Sequence, residues 1–293
     1  MKYNRVPFTS SLDEKYITEK VKQYDHSIVP PEPGASDEEL VFKINNENGD
    51  LIAGINIETD CWSKVYIDNI WVDERYHKQG LGSLLLVEAE RIAKEKGCYV
   101  SILDTFDFQA RPFYEKHGYR LCGTVENWPR GHCCYFLTKR LDQPFQVYIP
   151  LNSCHSKRYY ITPGSREDGL NIMDRLVKYK SSQVPPENDI FNLSSKILDD
   201  DGGIIAGCFA LLGSSAYVGI EMMWVDEQYR NSGIGSYVLG ETERDAKEIG
   251  AYIALADAFD WQVPFFLKNG YKINCTLDDS PRGHQWFSLQ KFL

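Results

Sequence analysis

The spacing of apolar and polar residues divides the chain into alternating strands and helices. The segment from Lys64 to Val72 (KVYIDNIWV) alternates and is rich in β-branched and aromatic side chains, which predicts a strand. A turn containing two glycines follows, and apolar residues then recur at helical spacing as far as Lys96. The pattern therefore predicts a strand, a turn and a helix in direct succession.

Further elements surround this unit. Helical spacing predicts an earlier helix near Leu12 to Tyr24, ended by the break VPP, and ENGD predicts the turn of a β-hairpin. Beyond the central helix, CYVSILDTF predicts a strand, QARPFYEKH a short helix closed by Gly118, and GHCCYFLTKRL a final strand. The expected fold is α/β with a mixed sheet, in which the helix from Gly82 to Lys96 crosses between strands.

The chain is an internal duplication, because most of these segments occur twice. YHKQGLGSLLLVEAERIAKEKG begins at Tyr76, and YRNSGIGSYVLGETERDAKEIG begins 153 positions later at Tyr229. DTFDFQARPFYEKHGY is matched by DAFDWQVPFFLKNGY, and PRGH occurs in both halves. A unit of about 140 residues fits a tandem pair of domains rather than a solenoid. We expect an N-terminal domain over residues 1–141, a linker over 142–156 and a C-terminal domain over 157–293.

Composition narrows the classes of function. The 293 residues include 32 lysine and arginine against 42 aspartate and glutamate residues, a formal charge of −10. Such a charge disfavours nucleic acid and anionic membranes as partners, and no apolar run reaches the roughly 20 residues that span a bilayer. Eight cysteines without CxxC pairs or zinc spacing are typical of reduced thiols, so we expect a cytoplasmic protein without a metal site.

The glycine turn has the features of an anion-binding site. The first N–H groups of a helix have no intrahelical partner, and the helix dipole adds about half a positive charge there. Glycines let an oxyanion approach the backbone closely, so a diphosphate is the ligand that fits best. The turn is neither a nucleotide P-loop nor a complete dinucleotide fingerprint. The alternative is an ordinary turn with solvated basic residues.

In both halves the chain resembles the GNAT superfamily of acyl-CoA-dependent N-acetyltransferases. The family pattern Gln/Arg-x-x-Gly-x-Gly/Ala is met by RNSGIG, beginning at Arg230, whereas HKQGLG has histidine at its first position, His77. The segment DFQARPFYEKHGY matches a second family pattern, except that Asp107 replaces an asparagine. The resemblance implies two tandem GNAT domains, with acetyl-CoA or coenzyme A on each turn and its pantetheine arm between two splayed strands.

The resemblance also implies which residues bind the coenzyme. They are strand residues that offer backbone groups and turn residues that offer N–H donors. In the first half they are Ile70, Trp71, Val72, His77, Lys78, Gln79, Gly80, Leu81, Gly82 and Ser83, and in the second half Trp224, Val225, Arg230, Asn231, Ser232, Gly233, Ile234, Gly235 and Ser236.

Two residues of the first half are candidates for proton transfer. A primary amine with a pKa near 10.4 pays roughly 4–5 kcal/mol to be neutral at pH 7, so a general base is needed. Asp68 on the strand before the turn is the candidate base, and a solvent-facing strand residue is the equal alternative. The resemblance implies that Tyr114 of FYEKHGY is the general acid, and the second half has Phe266 there. We therefore expect the N-terminal domain to catalyse and the C-terminal domain to bind coenzyme A with weak or no turnover.

The expected function is acetyl-CoA-dependent N-acetylation of the primary amine of a small molecule, such as an amine-bearing antibiotic, a polyamine, an amino acid or a peptide. Two alternatives stay open: a non-catalytic acyl-CoA sensor, and an enzyme with two active sites of different acceptor preference. Trp62 and Trp128 are candidate walls of a substrate pocket, with the alternative that they are packing residues, while the PRGH turns are interpreted as structural. The expected assembly is a monomer or a homodimer.

Overall fold

The computed structural model describes residues 4–143 and 159–293, so most of the predicted linker lies outside the described residues. The strands are β1 (Asn4–Pro7), β2 (Glu38–Asn45), β3 (Leu51–Thr59), β4 (Lys64–Val72), β5 (Val100–Phe106), β6 (Arg120–Glu126), β7 (Cys133–Arg140), β8 (Ile161–Pro163), β9 (Phe191–Asn192), β10 (Ser195–Leu198), β11 (Ile204–Gly213), β12 (Tyr217–Val225), β13 (Ile253–Phe259), β14 (Lys272–Asp278) and β15 (Gln285–Phe292). The α-helices are α1 (Ser11–Ile28), α2 (Leu81–Glu95), α3 (Arg111–Lys116), α4 (Arg166–Gln183), α5 (Ile234–Glu248) and α6 (Val263–Lys268).

The elements form where local patterning predicts them. Strand β4 has the predicted bounds, and α2 lies within one residue of its predicted range. Helix α1 is longer than predicted, because the Ser10 side chain accepts a hydrogen bond from the Leu12 N–H and caps its start. It continues to the extended residue Val29, which precedes a proline and cannot easily stay helical.

The strands of the described residues form one mixed sheet of fifteen strands. The order is β1-β10-β11-β12-β13-β15-β14-β6-β7-β5-β4-β3-β2-β8, with β9 beside β11. The pairs β4–β5 and β12–β13 are parallel, and the crossover helices α2 and α5 connect them. Strands β14 and β6 join the two halves at Cys275 and Gly123. Each half has its own apolar core beneath its crossover helix.

The two repeats exchange their first strand and helix. Strand β1 pairs with β10 of the second half, and α1 packs on β11 and β12. Reciprocally, β8 pairs with β2, and α4 packs on β2, β3 and β4 of the first half. Fully buried Ile17 of α1 fills the space beside Gly207, and fully buried Ile172 of α4 fills the space beside Gly54.

The packed units therefore differ from the division at residues 1–141 and 157–293 that the repeat predicts. The first packed unit is completed by β8 and α4 of the second repeat, and the second by β1 and α1 of the first repeat. Both sheets present a glycine at the equivalent place, Gly54 against Ile172 and Gly207 against Ile17, so these glycines do not distinguish one helix from the other. Local patterning shows which face of a helix is buried but not which sheet buries it.

Within the described residues, no helix is both long enough and apolar enough to cross a bilayer. The same residues contain no group of three or more histidine, cysteine, aspartate or glutamate side chains placed to hold a metal ion. The seven cysteines that the structure describes are free thiols.

Candidate functional site

Each glycine turn places a helix N-terminus at the end of a strand. Gly80 has a φ of 83° immediately before α2, and Gly233 has a φ of 91° before α5, a left-handed backbone that glycine adopts at little cost. The first intrahelical bond of α2 runs from the Leu84 N–H to the Gly80 oxygen (3.0 Å), and that of α5 from the Tyr237 N–H to the Gly233 oxygen (2.9 Å). The N–H groups of residues 81–83 and 234–236 are thus free of intrahelical partners, as an anion site requires.

His77 and Arg230 make equivalent contacts to the backbone in the two turns. His77 Nε2 lies 2.9 Å from the backbone oxygen of Val72, and Arg230 Nε donates to the backbone oxygen of Val225 at 3.1 Å. Each side chain therefore ties the turn to the last residue of the preceding strand. The departure from the family pattern at position 77 leaves this tie intact.

Some predicted coenzyme-binding residues have side chains that face the core. Leu81 and Ile234 are buried beneath their helices. Ser83 Oγ lies 2.9 Å from His117 Nε2 in a buried contact. Burial, together with repulsion from the charge of Lys139, lowers the pKa of His117 to about 4, so the ring is neutral at pH 7. These residues can reach a ligand only through their backbone.

The tryptophans at the strand ends are packing residues. The guanidinium of Arg175 lies 4.5 Å from the ring centre of Trp71, and Trp224 meets Tyr16 edge to face with ring centres 5.8 Å apart. Arg175 belongs to α4 and Tyr16 to α1, so both contacts are made by exchanged helices. The tryptophan side chains hold these helices on the sheets, and their backbone groups are what a coenzyme could contact.

The parallel strands of each half diverge next to the glycine turn. Strand β4 pairs with β5 only from Lys64 to Tyr66, and β12 pairs with β13 only from Tyr217 to Ile220. Beyond these points the strand edge toward β5 or β13 lacks its ladder partner, so backbone donors and acceptors face the gap. Ile70 and Val72 lie in this free stretch of β4.

A carboxylate stands where each pair of strands diverges. Asp68 is open to the first cleft, yet the surrounding protein removes enough water to raise its pKa to about 7, with added repulsion from Glu58, Asp104 and Glu39. Burial also raises the pKa of Glu221, the equivalent residue of the second cleft. A carboxylate that titrates near neutral pH is suited to take up and release a proton.

Sequence reasoning missed a second carboxylate in each cleft. Asp104 on β5 and Asp257 on β13 are equivalent residues of the two repeats. Burial, together with repulsion from Glu221 and Asp104, raises the pKa of Asp257 to about 7. The sequence held a signal for this pair, because the matched segments DTFD and DAFD both keep the aspartate inside an apolar strand.

Tyr114 lies on α3 and is only 7% exposed. Its ring packs edge to face against Phe113 and Tyr119, with ring centres 5.1 and 5.8 Å away. Burial and the charge of Asp104 raise the pKa of its hydroxyl, so it stays protonated at neutral pH. Phe266 is equally buried in the second half, and the two positions differ by one hydroxyl group.

A cavity of about 770 Å³ opens beside the second glycine turn. Its lining includes Arg230 and Gly233 of the turn, the carboxylates Glu221 and Asp257, and the end of α1. Trp62, a predicted pocket wall, lines this second cleft although it belongs to the first repeat. Both repeats therefore build the second cleft.

The PRGH turns join the halves. Arg130 pairs with Glu187 at 3.0 Å, and Arg282 pairs with Glu32 at 3.1 Å. Each glutamate follows one of the exchanged helices. The two ion pairs are therefore equivalent, and each one links the PRGH turn of one repeat to the other repeat. This geometry supports the structural interpretation. Trp128, beside the first PRGH, packs on aromatic rings within the junction.

Two parts of the chain match profiles of one family. Residues 7–119 match a profile described as the acetyltransferase (GNAT) family, and residues 194–273 match one described as an acetyltransferase (GNAT) domain.

Named relatives agree with these matches. Blasticidin-S acetyltransferase of Streptomyces morookaense is 38% identical over 96 residues, which cover 32% of this chain and 70% of that protein. Glucosamine 6-phosphate N-acetyltransferase of Trypanosoma brucei brucei is 42% identical over 55 residues, 19% of this chain and 37% of that one. A crystal structure of an acetyltransferase from Bacillus cereus ATCC 14579 is 41% identical, covers 46% of this chain and 96% of its own, and has a TM-score of 0.43.

Proposed function

This chain belongs to the GNAT acetyltransferase family, and from that premise we propose that it transfers an acetyl group from acetyl-CoA to the primary amine of a small molecule. Transfer takes place in the first cleft, beside Asp68 and Tyr114. The second cleft binds coenzyme A and turns over weakly or not at all, because Phe266 has no hydroxyl to donate.

The residues of both turns fit acetyl-CoA, the substrate that GNAT acetyltransferases use. The free N–H groups of residues 81–83 and 234–236 suit a pyrophosphate. The free edge of β4 at Ile70 and Val72 suits the amide groups of the pantetheine arm. When bound, acetyl-CoA supplies the thioester from which the acetyl group is transferred.

Asp68 and Tyr114 divide the proton transfers. Asp68 accepts a proton from the ammonium form of the acceptor, which frees the lone pair that forms the new C–N bond. Tyr114 donates its hydroxyl proton to the departing sulfur as the C–S bond breaks. Asp68 passes its proton to solvent. The nitrogen, once bonded to the acetyl carbon, loses a second proton to solvent, and Tyr114 regains from solvent the proton that it gave to the sulfur. In sum, one ammonium proton ends on the thiol and one in solvent.

The divergence of β4 and β5 is the observation that carries this proposal. It leaves Asp68, a free strand edge and the glycine turn in one cleft. A carboxylate with a pKa near 7 at that point is charged often enough at neutral pH to accept a proton, and basic enough to do so usefully.

The test is the release of coenzyme A from acetyl-CoA with a panel of small amines. Tyr114→Phe should lower kcat by about 100-fold or more, the usual effect of a lost general acid, and leave coenzyme A affinity unchanged. Phe266→Leu is the matched control, because it alters the equivalent position without touching the first cleft, and it should leave kcat nearly unchanged.

Two results would contradict the proposal. Full turnover by Tyr114→Phe would show that Tyr114 is not the general acid and would contradict the assignment of catalysis to the first cleft. Tight coenzyme A binding without release for any amine would favour an acyl-CoA sensor.

A further inference from the structure

The two clefts carry opposite charges where the exchanged helices cover them. Asp25 of α1 and Lys180 of α4 are equivalent, because the backbone oxygen of each accepts the N–H of the valine that ends its helix. Asp25 lies against Trp261 in the second cleft. Lys180 Nζ lies 5.2 Å from the ring centre of Phe106 in the first cleft. The sequence repeat concealed this difference, since each helix covers the other repeat's sheet.

Asp25 is a buried carboxylate in which one of the two oxygens accepts the hydrogen bonds. The residue is 5% exposed and lines the cavity of the second cleft. Its Oδ1 accepts hydrogen bonds from Trp261 Nε1 (2.9 Å) and Gln262 Nε2 (3.0 Å). From residues 4–143 and 159–293, no donor bonds to Oδ2 and no lysine or arginine pairs with the carboxylate. Burial raises its pKa, and the neighbouring His26 offsets this in part.

A carboxylate in this position is costly without a counter-ion, because burial strips its water without supplying an opposite charge. A ligand cation that reaches Oδ2 from the cavity would supply that charge. A charge-assisted hydrogen bond of this kind is about twice as strong as a neutral one.

The rest of the cavity suits the body of such a ligand. Trp62 meets Phe259 edge to face at 5.0 Å, and Phe259 stacks on Trp261 at 4.7 Å, which gives a continuous aromatic wall. Glu221 and Asp257 line the same cavity, as do the basic residues Lys22, Arg230 and Lys268. A volume of about 770 Å³ lies in the usual range for small-molecule sites.

We propose that the second cleft is a binding site for an organic ammonium ion carried on an aromatic body. Asp25 is the counter-ion of the ammonium group, and Trp62, Phe259 and Trp261 contact the body. The first cleft lacks this counter-ion, because Lys180 occupies the equivalent place, and an acceptor amine there meets Asp68 instead. The two clefts of one chain thus hold an ammonium group through different carboxylates, whichever of them transfers acetyl groups.

The test is calorimetric titration of the coenzyme A-saturated protein with 2-phenylethylamine and with its neutral counterpart 2-phenylethanol. The amine should bind at least about 10-fold more tightly than the alcohol. Asp25→Asn keeps an oxygen for the Trp261 and Gln262 bonds but removes the charge, so it should weaken the amine by about 10- to 100-fold and leave the alcohol unchanged. Chemical-shift changes of the Trp261 indole N–H should follow the amine titration in the wild-type protein.

Two control variants fix the location. Glu19→Gln removes the same charge from an exposed position of α1 and should leave amine affinity unchanged. Lys180→Gln, in the first cleft, should not weaken the amine either. If Asp25→Asn folds and binds the amine like the wild type, or if amine and alcohol bind equally, the proposal is wrong.

The titration uses coenzyme A rather than acetyl-CoA, so it does not depend on turnover. A protein that binds the amine through Asp25 but never releases coenzyme A from acetyl-CoA would overturn the proposed function and uphold this site. The reverse result, acetyl transfer with no charge preference at Asp25, would overturn this site alone.

Discussion

Removing the side chain of Ile17 should weaken the second packed unit rather than the first. Ile17 comes from the first repeat but is fully buried against Gly207 of the second. Replacing a fully buried isoleucine by alanine costs about 2–5 kcal/mol, because apolar contacts are lost and a cavity remains. Since about 1.4 kcal/mol is a factor of ten in an equilibrium constant, the local opening of the second unit should become at least about 30-fold more frequent.

Hydrogen exchange measured strand by strand is the assay. In Ile17→Ala, the amides of β11 should lose protection by this factor, while those of β3 should change little. Ile172→Ala is the matched control, because it removes the same side chain from the same place in the first unit and should show the reverse pattern.

A double-mutant cycle tests the contact between Ile17 and Gly207 independently. An added Cβ at Gly207 would lie 2.5 Å from Ile17 Cδ1, so Gly207→Ala should destabilise the wild-type protein and cost at least about 0.5 kcal/mol less in the Ile17→Ala background. Loss of protection in β3 on Ile17→Ala, together with additive effects in the cycle, would refute the exchange of helices.

Three further predictions follow from the clefts and turns. The proposed base Asp68 would act as the carboxylate, and its pKa is about 7. On this proposal kcat/KM should fall about tenfold per pH unit below pH 7 and level off above it, and Asp68→Asn should lower it at least about 100-fold; a flat profile down to pH 5 would count against this base. His77→Arg should leave coenzyme A affinity within about twofold by titration, since Arg230 makes the same tie to its strand. Gly233→Ala should lower the free energy of unfolding in urea by about 1 kcal/mol through its φ of 91° alone, because an added Cβ meets no atom within 4 Å.

The local elements were predictable because their causes are local. Alternation fixed the bounds of β4, and the paired glycines marked where α2 and α5 begin. The resemblance to the GNAT family is confirmed by the matching family profiles. The assigned roles of Asp68 and Tyr114 remain predictions.

What the sequence could not show depends on contacts between distant segments. The partner sheet of α1 is decided by tertiary packing, since Gly54 and Gly207 offer the same space to Ile172 and Ile17. The raised pKa of Asp68 arises when folding removes water from its carboxyl group and brings other carboxylates near it.

The difference between the clefts has the same origin. Asp25 and Lys180 differ visibly in the sequence, but the repeat assigns each residue to its own half, whereas the exchange of helices places it in the cleft of the other half. Strands β6 and β14 were not predicted. Each pairs along its length with the last strand of its own repeat, and the two meet each other at Gly123 and Cys275.

The central claim is that each glycine turn binds the diphosphate of an acyl carrier through backbone N–H groups. Calorimetric titration with coenzyme A tests it most directly, and the account predicts two molecules bound per chain. Saturation at one molecule would show that one turn does not bind, and an absence of saturable binding would contradict the account as a whole.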